Sequence, residues 1–356
     1  MIRLFFTFFL LISYLYAQDT TICKSCHPAI YNEFQSSFHK KSISKFDKVH
    51  KAVWDRHPAK KKGNYQCAKC HSPQKEQGVT CLTCHTIVDI KEHKKSNENI
   101  YETKKKYLYS AQKGMEDKKV IYKEKSSWFG LVKEVEGSPY HDIDYTNKNY
   151  YTGKVCMGCH SHKQNGVGFE LCKTDMKGVN HKQNCITCHM PKVKGSATTI
   201  RSSKTHAYHG FAGVRNAHKM LEKYIEIDIK KEQDGFVVKI KNKAPHELLT
   251  HPLRVLELRV LINGELYKSK TFQKVLGKDS KPTPPWLATE FIRDDMIKPL
   301  ESRVLRFNKD LKNGDSVEVL LGYYIVAPDS LKKLGLEGSD DLKRFHILKR
   351  EFINVK

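Results

Sequence analysis

From about residue 220 to the C-terminus the chain is written in strand periodicity. Ile225, Ile227 and Ile229 alternate with charged residues, Phe236, Val238 and Ile240 repeat the alternation, and Asp234-Gly235 between them predicts a hairpin turn. Leu256, Leu258, Val260 and Ile262 lead into Asn263-Gly264, a second dipeptide of the kind that closes two-residue hairpins. Arg303–Phe307, the stretch Val317–Val326 behind Asn313-Gly314, and Phe345–Val355 add further strands. Roughly five to eight antiparallel strands in about 135 residues imply a β-sandwich.

Upstream the pattern is different. Leu4 to Leu15 is one apolar run with Arg3 before it and Ala17 after it, which predicts a secretory signal peptide over residues 1–17. The run is too short to span a bilayer, and an uncleaved anchor is the alternative. Ile30, Tyr31, Phe34 and Phe38 recur at three- and four-residue intervals behind Pro28, a favoured first-turn residue, and predict a helix with His39 at the end of its apolar stripe. Between Ile90 and Gly137 the chain is lysine-rich, with little periodicity beyond Val120-Ile-Tyr122 and Leu131-Val132. It reads as a surface excursion or short hairpin whose charge, Lys104-Lys-Lys106 included, is a solvated face. The fold class is therefore α+β. A mainly helical or irregular domain spans 18–219, with an insertion at about 90–137, and an antiparallel β-sandwich spans 220–356.

Composition sharpens this division. Only 39% of the 356 residues are apolar, below the usual ~45–50%, so something besides side chains fills part of the interior. The formal charge is +24, from 63 basic and 39 acidic residues. Nothing resembles a base-reading motif, and an exported chain does not meet nucleic acid in the cytoplasm. A basic surface suits acidic redox partners through electrostatic steering, with anionic membrane lipid or small oxyanions as other beneficiaries.

Ten of the eleven cysteines explain the interior. They fall as Cys23/Cys26, Cys67/Cys70, Cys81/Cys84, Cys156/Cys159 and Cys185/Cys188, each pair two residues apart and each followed at once by a histidine: His27, His71, His85, His160 and His189. Zinc and iron–sulfur sites also use paired cysteines, but neither accounts for the invariable histidine. Cys-x-x-Cys-His is the attachment site of haem c, with two thioether bonds to the porphyrin and the histidine as proximal iron ligand. Five such sites span residues 23–189, all before the β half. Thirteen further histidines are enough to close every iron with a second imidazole. Sufficiency does not assign them.

The run from Cys23 to His39, the segment Cys67–His71 with Gly78-Val-Thr-Cys81-Leu-Thr-Cys-His85, and then Ser138-Pro-Tyr-His141, Cys156–His160 and Asn184-Cys185-Ile-Thr-Cys-His189-Met-Pro resemble multihaem cytochromes of the cytochrome c-554 type. That superfamily also contains hydroxylamine oxidoreductase-like and octahaem reductase-like proteins. The resemblance implies His39 and His141 as distal ligands. It makes His206, in Thr205-His-Ala-Tyr-His209-Gly, a third candidate with His209 beside it. Asn242-Lys-Ala-Pro-His246 is similar to an element that opens β-domains in related proteins, which adds His246. The c-554 archetype has four haems and this chain has five sites, so ligand pairing is not carried across.

Cys172 is left over, as an inert buried thiol, an intermolecular disulfide partner, an iron ligand or a sulfur-handling group. Two functions stay open. One is an exported, periplasmic electron carrier with five haems, passing electrons between redox partners such as a membrane quinol oxidase module and a terminal enzyme. The other is an oxidoreductase acting on a small nitrogen or sulfur compound at one open iron.

Overall fold

The computed structural model describes residues 20–73, 78–102, 107–126, 133–174, 179–180 and 182–356. The 1–17 segment, Lys104–Lys106 and Leu131-Val132 lie outside the described residues.

In the C-terminal half the alternating apolar positions form two antiparallel sheets. Strands β1 (Ile225–Glu232) and β2 (Gly235–Asn242) make a hairpin, and β6 (Ser302–Phe307) pairs with the other edge of β2. In the second sheet β4 (Glu265–Lys278), β3 (Val255–Ile262), β7 (Ser316–Tyr324) and β8 (His346–Asn354) lie side by side, while β5 (Glu290–Asp294) pairs with the far part of β4. Ile225, Phe236, Val238 and Ile240 from the first sheet meet Leu256, Leu258, Phe272, Val319 and Leu321 from the second in one core. Each such side chain contributes about 1.5–3 kcal/mol by leaving water, so this half holds itself together with ordinary side chains.

One of the two predicted turns moves. Asn263 and Gly264, at φ 53° and 84°, form the two-residue turn joining β3 to β4 as expected. In the first hairpin Glu232 pairs with Gly235, so the turn is Gln233-Asp234 and Gly235 already belongs to the strand. Its glycine is required by the neighbouring strand instead. A Cβ there would lie 2.1 Å from the Phe307 carbonyl oxygen of β6.

The N-terminal half contains little long regular structure. Helix α1 (Pro28–Ser36) begins on its proline and buries Phe34, and His39 lies in the turn beyond it. Helix α2 (Lys48–Arg56) is capped by Asp47, whose carboxylate accepts from the Val49 amide at 3.0 Å. Val49 joins the sandwich core, and Arg56 donates to the Lys333 carbonyl at 3.1 Å, so α2 ties the two halves together. Asn165 does the same, donating to Pro285 and Ala288 carbonyls at 3.0 and 2.7 Å.

Within the expected excursion at 90–137, Glu98–Tyr101 pairs with Ile87–Lys91, Lys123–Ser126 pairs with Lys133–Glu136, and Tyr107–Tyr109 runs parallel to Asp142–Asp144. It is more than a surface hairpin. Tyr109 is buried and its carbonyl is 2.7 Å from the His85 ring.

Candidate functional site

Each Cys-x-x-Cys-His motif sits in a single helical turn, the conformation that brings residues i, i+3 and i+4 to one side. Cys81–His85 and Cys185–His189 are short helices with reciprocal caps. Thr80 and Thr83 exchange side-chain-to-amide hydrogen bonds at 3.2 and 2.9 Å, and Asn184 and Thr187 do so at 3.1 and 2.9 Å. The motif glycine of Cys156-Met-Gly-Cys159 is fixed by crowding, since a Cβ on Gly158 would sit 1.7 Å from Asn99 Oδ1.

The motif histidines are oriented by backbone carbonyls. His27 Nδ1 lies 2.8 Å from Ala197 O, His85 Nδ1 2.7 Å from Tyr109 O and His189 Nδ1 2.6 Å from Ala212 O. A carbonyl can only accept, so Nδ1 carries the proton and the Nε2 lone pair is left for a metal. Burial, followed by a neighbouring imidazole or guanidinium, holds His85, His160 and His189 below the ordinary histidine range and so keeps them neutral.

Four of the five face a second histidine. Ring centres are 6.2 Å apart for His27 and His141, 6.3 Å for His85 and His209, 5.9 Å for His189 and His246, and 5.8 Å for His160 and His39. Two imidazoles held trans on one metal by bonds of about 2 Å place their ring centres roughly 6 Å apart. His209 and His246 repeat the Nδ1-to-carbonyl arrangement at 2.7 Å each. Desolvation drives His39 down to about 3 and His209 to about 4. These residues fit an iron porphyrin between each pair. Phe211 holds a φ of 55°, uncommon for an aromatic residue, and its ring packs 4.1 Å from His39 and 6.3 Å from His209.

The fifth pair differs. His71 and His50 are 4.4 Å apart at 62°, and both Nδ1 atoms contact the same carbonyl, Ser42 O, at 2.9 and 2.7 Å. Trans ligands would point their Nδ1 atoms in opposite directions. His50 Nε2 is engaged by the Tyr65 hydroxyl at 3.1 Å.

Of the distal candidates, His39, His141, His209 and His246 each face a motif histidine. His206 does not, because its ring bridges Gly195 O at 2.9 Å and Glu33 Oε1 at 3.0 Å. Glu33 Oε2 also accepts from the His209 amide at 2.8 Å, so His206 and Glu33 brace the loop that carries His209. His50 has no counterpart among the sequence candidates. The signal available was its place on α2, behind the Asp47 cap and beside the apolar stripe of Val49, Ala52 and Val53. Cys172, on Glu170–Lys173, is deeply placed, and burial pushes its thiol up.

The motifs neighbour one another out of sequence order. Thiols of Cys23 and Cys81, of Cys70 and Cys159, and of Cys156 and Cys185 lie within hydrogen-bonding reach, with no disulfide among the eleven cysteines. Gly153 permits the last approach, since a Cβ there would be 3.0 Å from that of Cys185.

The sequence treats all ten attachment cysteines alike, and the structure does not. Cys26 and Cys188, each the second cysteine of its motif, are engaged from outside the motifs. The Cys26 carbonyl accepts from the Thr199 amide at 2.8 Å, which ties the first motif to the segment beyond the fifth. Cys188 is buried, whereas the other nine motif cysteines keep partial exposure, and its thiol is engaged with the Tyr224 side chain just ahead of β1.

Residues 22–99 match the family model described as cytochrome c554 and c-prime. The crystal structure of a penta-heme cytochrome c552 from Thermochromatium tepidum shares the fold at a TM-score of 0.70, with 21% identity over 94% of this chain and 98% of that one. The CARDB domain of the PF1109 protein from Pyrococcus furiosus aligns with 38% of the chain at 15% identity and a TM-score of 0.19, covering 90% of that domain. None of the curated proteins matches. Motif turns, opposed histidines and fold together match what a multihaem c-type cytochrome requires, and haem c is the group these motifs would hold. The likeness to the cytochrome c-554 type is carried by residues 22–99.

Proposed function

We propose that the chain is an exported, periplasmic pentahaem cytochrome that transfers electrons between redox partners. The observation that carries this reading is the second histidine opposite His27, His85, His160 and His189 at the separation of trans axial ligands. When both axial sides are closed, no position is left for a substrate, and outer-sphere electron exchange is what the site can do. Bound haem c supplies a one-electron ferric/ferrous couple. The polypeptide supplies ten thioether cysteines, imidazoles fixed in one tautomer by backbone carbonyls, and burial that excludes water.

The order of motif contacts supports a conducting role. Cys23 approaches Cys81, Cys156 approaches Cys185 and Cys70 approaches Cys159, while Cys84 lies near both Cys156 and Cys159. The five sites thus form one connected array. The basic surface, +24 in formal charge, favours acidic partners; a membrane quinol oxidase module on one side and a terminal enzyme on the other suit such a carrier.

A specific observation favours a second reading at one site. The His71–His50 arrangement departs from the other four, and a haem held by Cys67, Cys70 and His71 with His50 kept on Tyr65 is the place for an open iron acting on a small nitrogen or sulfur compound. Pyridine haemochrome analysis of the exported holoprotein tests the haem count, with five per chain expected and fewer contradicting it. Electron paramagnetic resonance separates the two readings, because a high-spin ferric signal that responds to added ligand belongs only to the second.

A further inference from the structure

The turn that leads into β3 carries two polar groups that neither the sandwich nor the histidine pairs employ. The Arg254 amide donates to His251 O at 3.0 Å, which folds the two residues into one turn. His251 Nδ1 accepts from the Leu253 amide at 3.2 Å. An accepting Nδ1 has no proton, so the proton of the neutral ring is on Nε2, and His251 presents an N–H donor where the motif histidines present a lone pair. His251 neighbours His71, and Arg254 neighbours His160.

His251 is exposed and Arg254 half-buried in the polypeptide alone, and desolvation by the surrounding protein still lowers His251 to about 3 and Arg254 to about 10. The nearest other charges do not neutralise Arg254. Arg215 is a second cation, stacked 4.6 Å over Phe38, and Asp47 is spent on it, with both guanidinium nitrogens at 3.4 Å, and on capping α2. Among the described residues neither the Arg254 guanidinium nor His251 Nε2 meets an acceptor. A half-buried guanidinium with no anion beside it is unfavourable, and its planar fork is matched by a carboxylate.

We propose that Arg254 and His251 form a two-donor cradle for the carboxylate of a haem propionate, between the sites of His71 and His160. The inference rests on the haem reading of those two motifs. The β half thereby contributes directly to haem electrostatics. A fixed positive charge beside a propionate disfavours the ferric state, so Arg254 raises the potential of the haem it serves.

The test is a potentiometric titration of purified holoprotein, following the haem bands, for wild type, Arg254→Leu, Arg254→Lys and His251→Asn, with haem content determined first. If haem content is below wild type in every variant, resonance Raman of wild type decides, since propionate bending modes report hydrogen bonding to the carboxylate. Loss of the haems from wild type itself fails the haem reading, not the cradle. The expected result is five haems per chain, a negative shift of one or two midpoints in Arg254→Leu and a smaller shift in Arg254→Lys and His251→Asn. Wild-type Raman modes typical of free propionates, or unchanged midpoints with full haem content, overturn the proposal. A wild-type spectrum that responds to added nitrite or phosphate, with a response lost in Arg254→Leu while midpoints stay unchanged, assigns the cradle to an external oxyanion and also overturns it.

Discussion

At the scale of single residues the account turns on which nitrogen of each histidine is occupied. His206 and His209 are three residues apart, the first buried and the second half-buried, but only His209 has its Nε2 free to face a motif histidine, while His206 is held at both nitrogens. Replacing His209 with alanine should turn one low-spin haem high-spin, and His206→Ala should leave the spin states as in wild type while loosening the loop through Glu33. Visible and magnetic circular dichroism spectra of the two variants check this; a high-spin haem from His206→Ala alone would contradict it. Residue identity marked the motif histidines in the sequence, because the cysteines fix their chemistry. The partner histidines carry no such local mark. Their role depends on a carbonyl contributed by a distant or irregular segment, as Ala207 and Glu247 show. Spacing therefore could not separate His209 from His206 or point to His50. It also could not set Cys26 and Cys188 apart from the other attachment cysteines, because Thr199 and Tyr224 reach them from outside the motifs.

Ring orientation at these residues gives a second expectation. The His39 and His160 planes are 68° apart, whereas the other three opposed pairs lie at 19–27°. Crossed imidazole planes leave the two iron orbitals that interact with the ligand π systems nearly equal in energy, and parallel planes split them. One haem should therefore give a strongly anisotropic low-spin resonance beside three rhombic ones, and the anisotropic signal should vanish in His39→Met. Four rhombic signals would show that the crossed arrangement is absent in the holoprotein.

At the scale of elements, strands were far more legible than motif turns. Alternation located β1, β2, β3 and β7 because one face of each is buried in a common core. The long β4 and the short β5 escaped because polar residues such as Lys268, Lys270 and Lys274 break the run, and Lys274 is buried only through its ion pair with Glu247. The motif turns have no periodicity at all. They are set by caps at Thr80 and Asn184 and by close approaches at Gly153 and Gly158. Gly158→Ala must displace Asn99, which should cost about 1–3 kcal/mol and lower haem occupancy at Cys156/Cys159. Asn184→Ala should cost about 1 kcal/mol through its lost cap. Calorimetry with haem quantification checks both; unchanged melting for Gly158→Ala would mean that Asn99 moves freely.

At the scale of the whole molecule the low apolar content now has a place. The sandwich fills its own core, and the apolar deficit falls on the N-terminal half, where the opposed histidines leave room for porphyrins. The insertion belongs to that architecture, since Tyr109 orients His85. The junction between halves carries a pH dependence of its own. His346 stacks on Tyr323 and His218 meets it edge-on, and burial lowers both from the ordinary 6.5. The unfolded chain then binds more protons below that value, so the associated stability is full above about 6.5 and declines as pH falls toward the lowered folded values. Melting temperature should drop between pH 7.5 and 5, and His346→Phe should reduce the drop; a flat profile in wild type would remove this pair from the account.

The central claim is that paired histidines would close four of the irons, at His27, His85, His160 and His189, and that the protein is a carrier. It is tested most directly by electron paramagnetic resonance of the fully oxidised holoprotein, recorded alone and after addition of nitrite or hydroxylamine. The account predicts low-spin ferric signals from the four paired sites, and no signal that either compound moves. A high-spin signal that shifts or disappears on addition would contradict it and place the chemistry at an open iron.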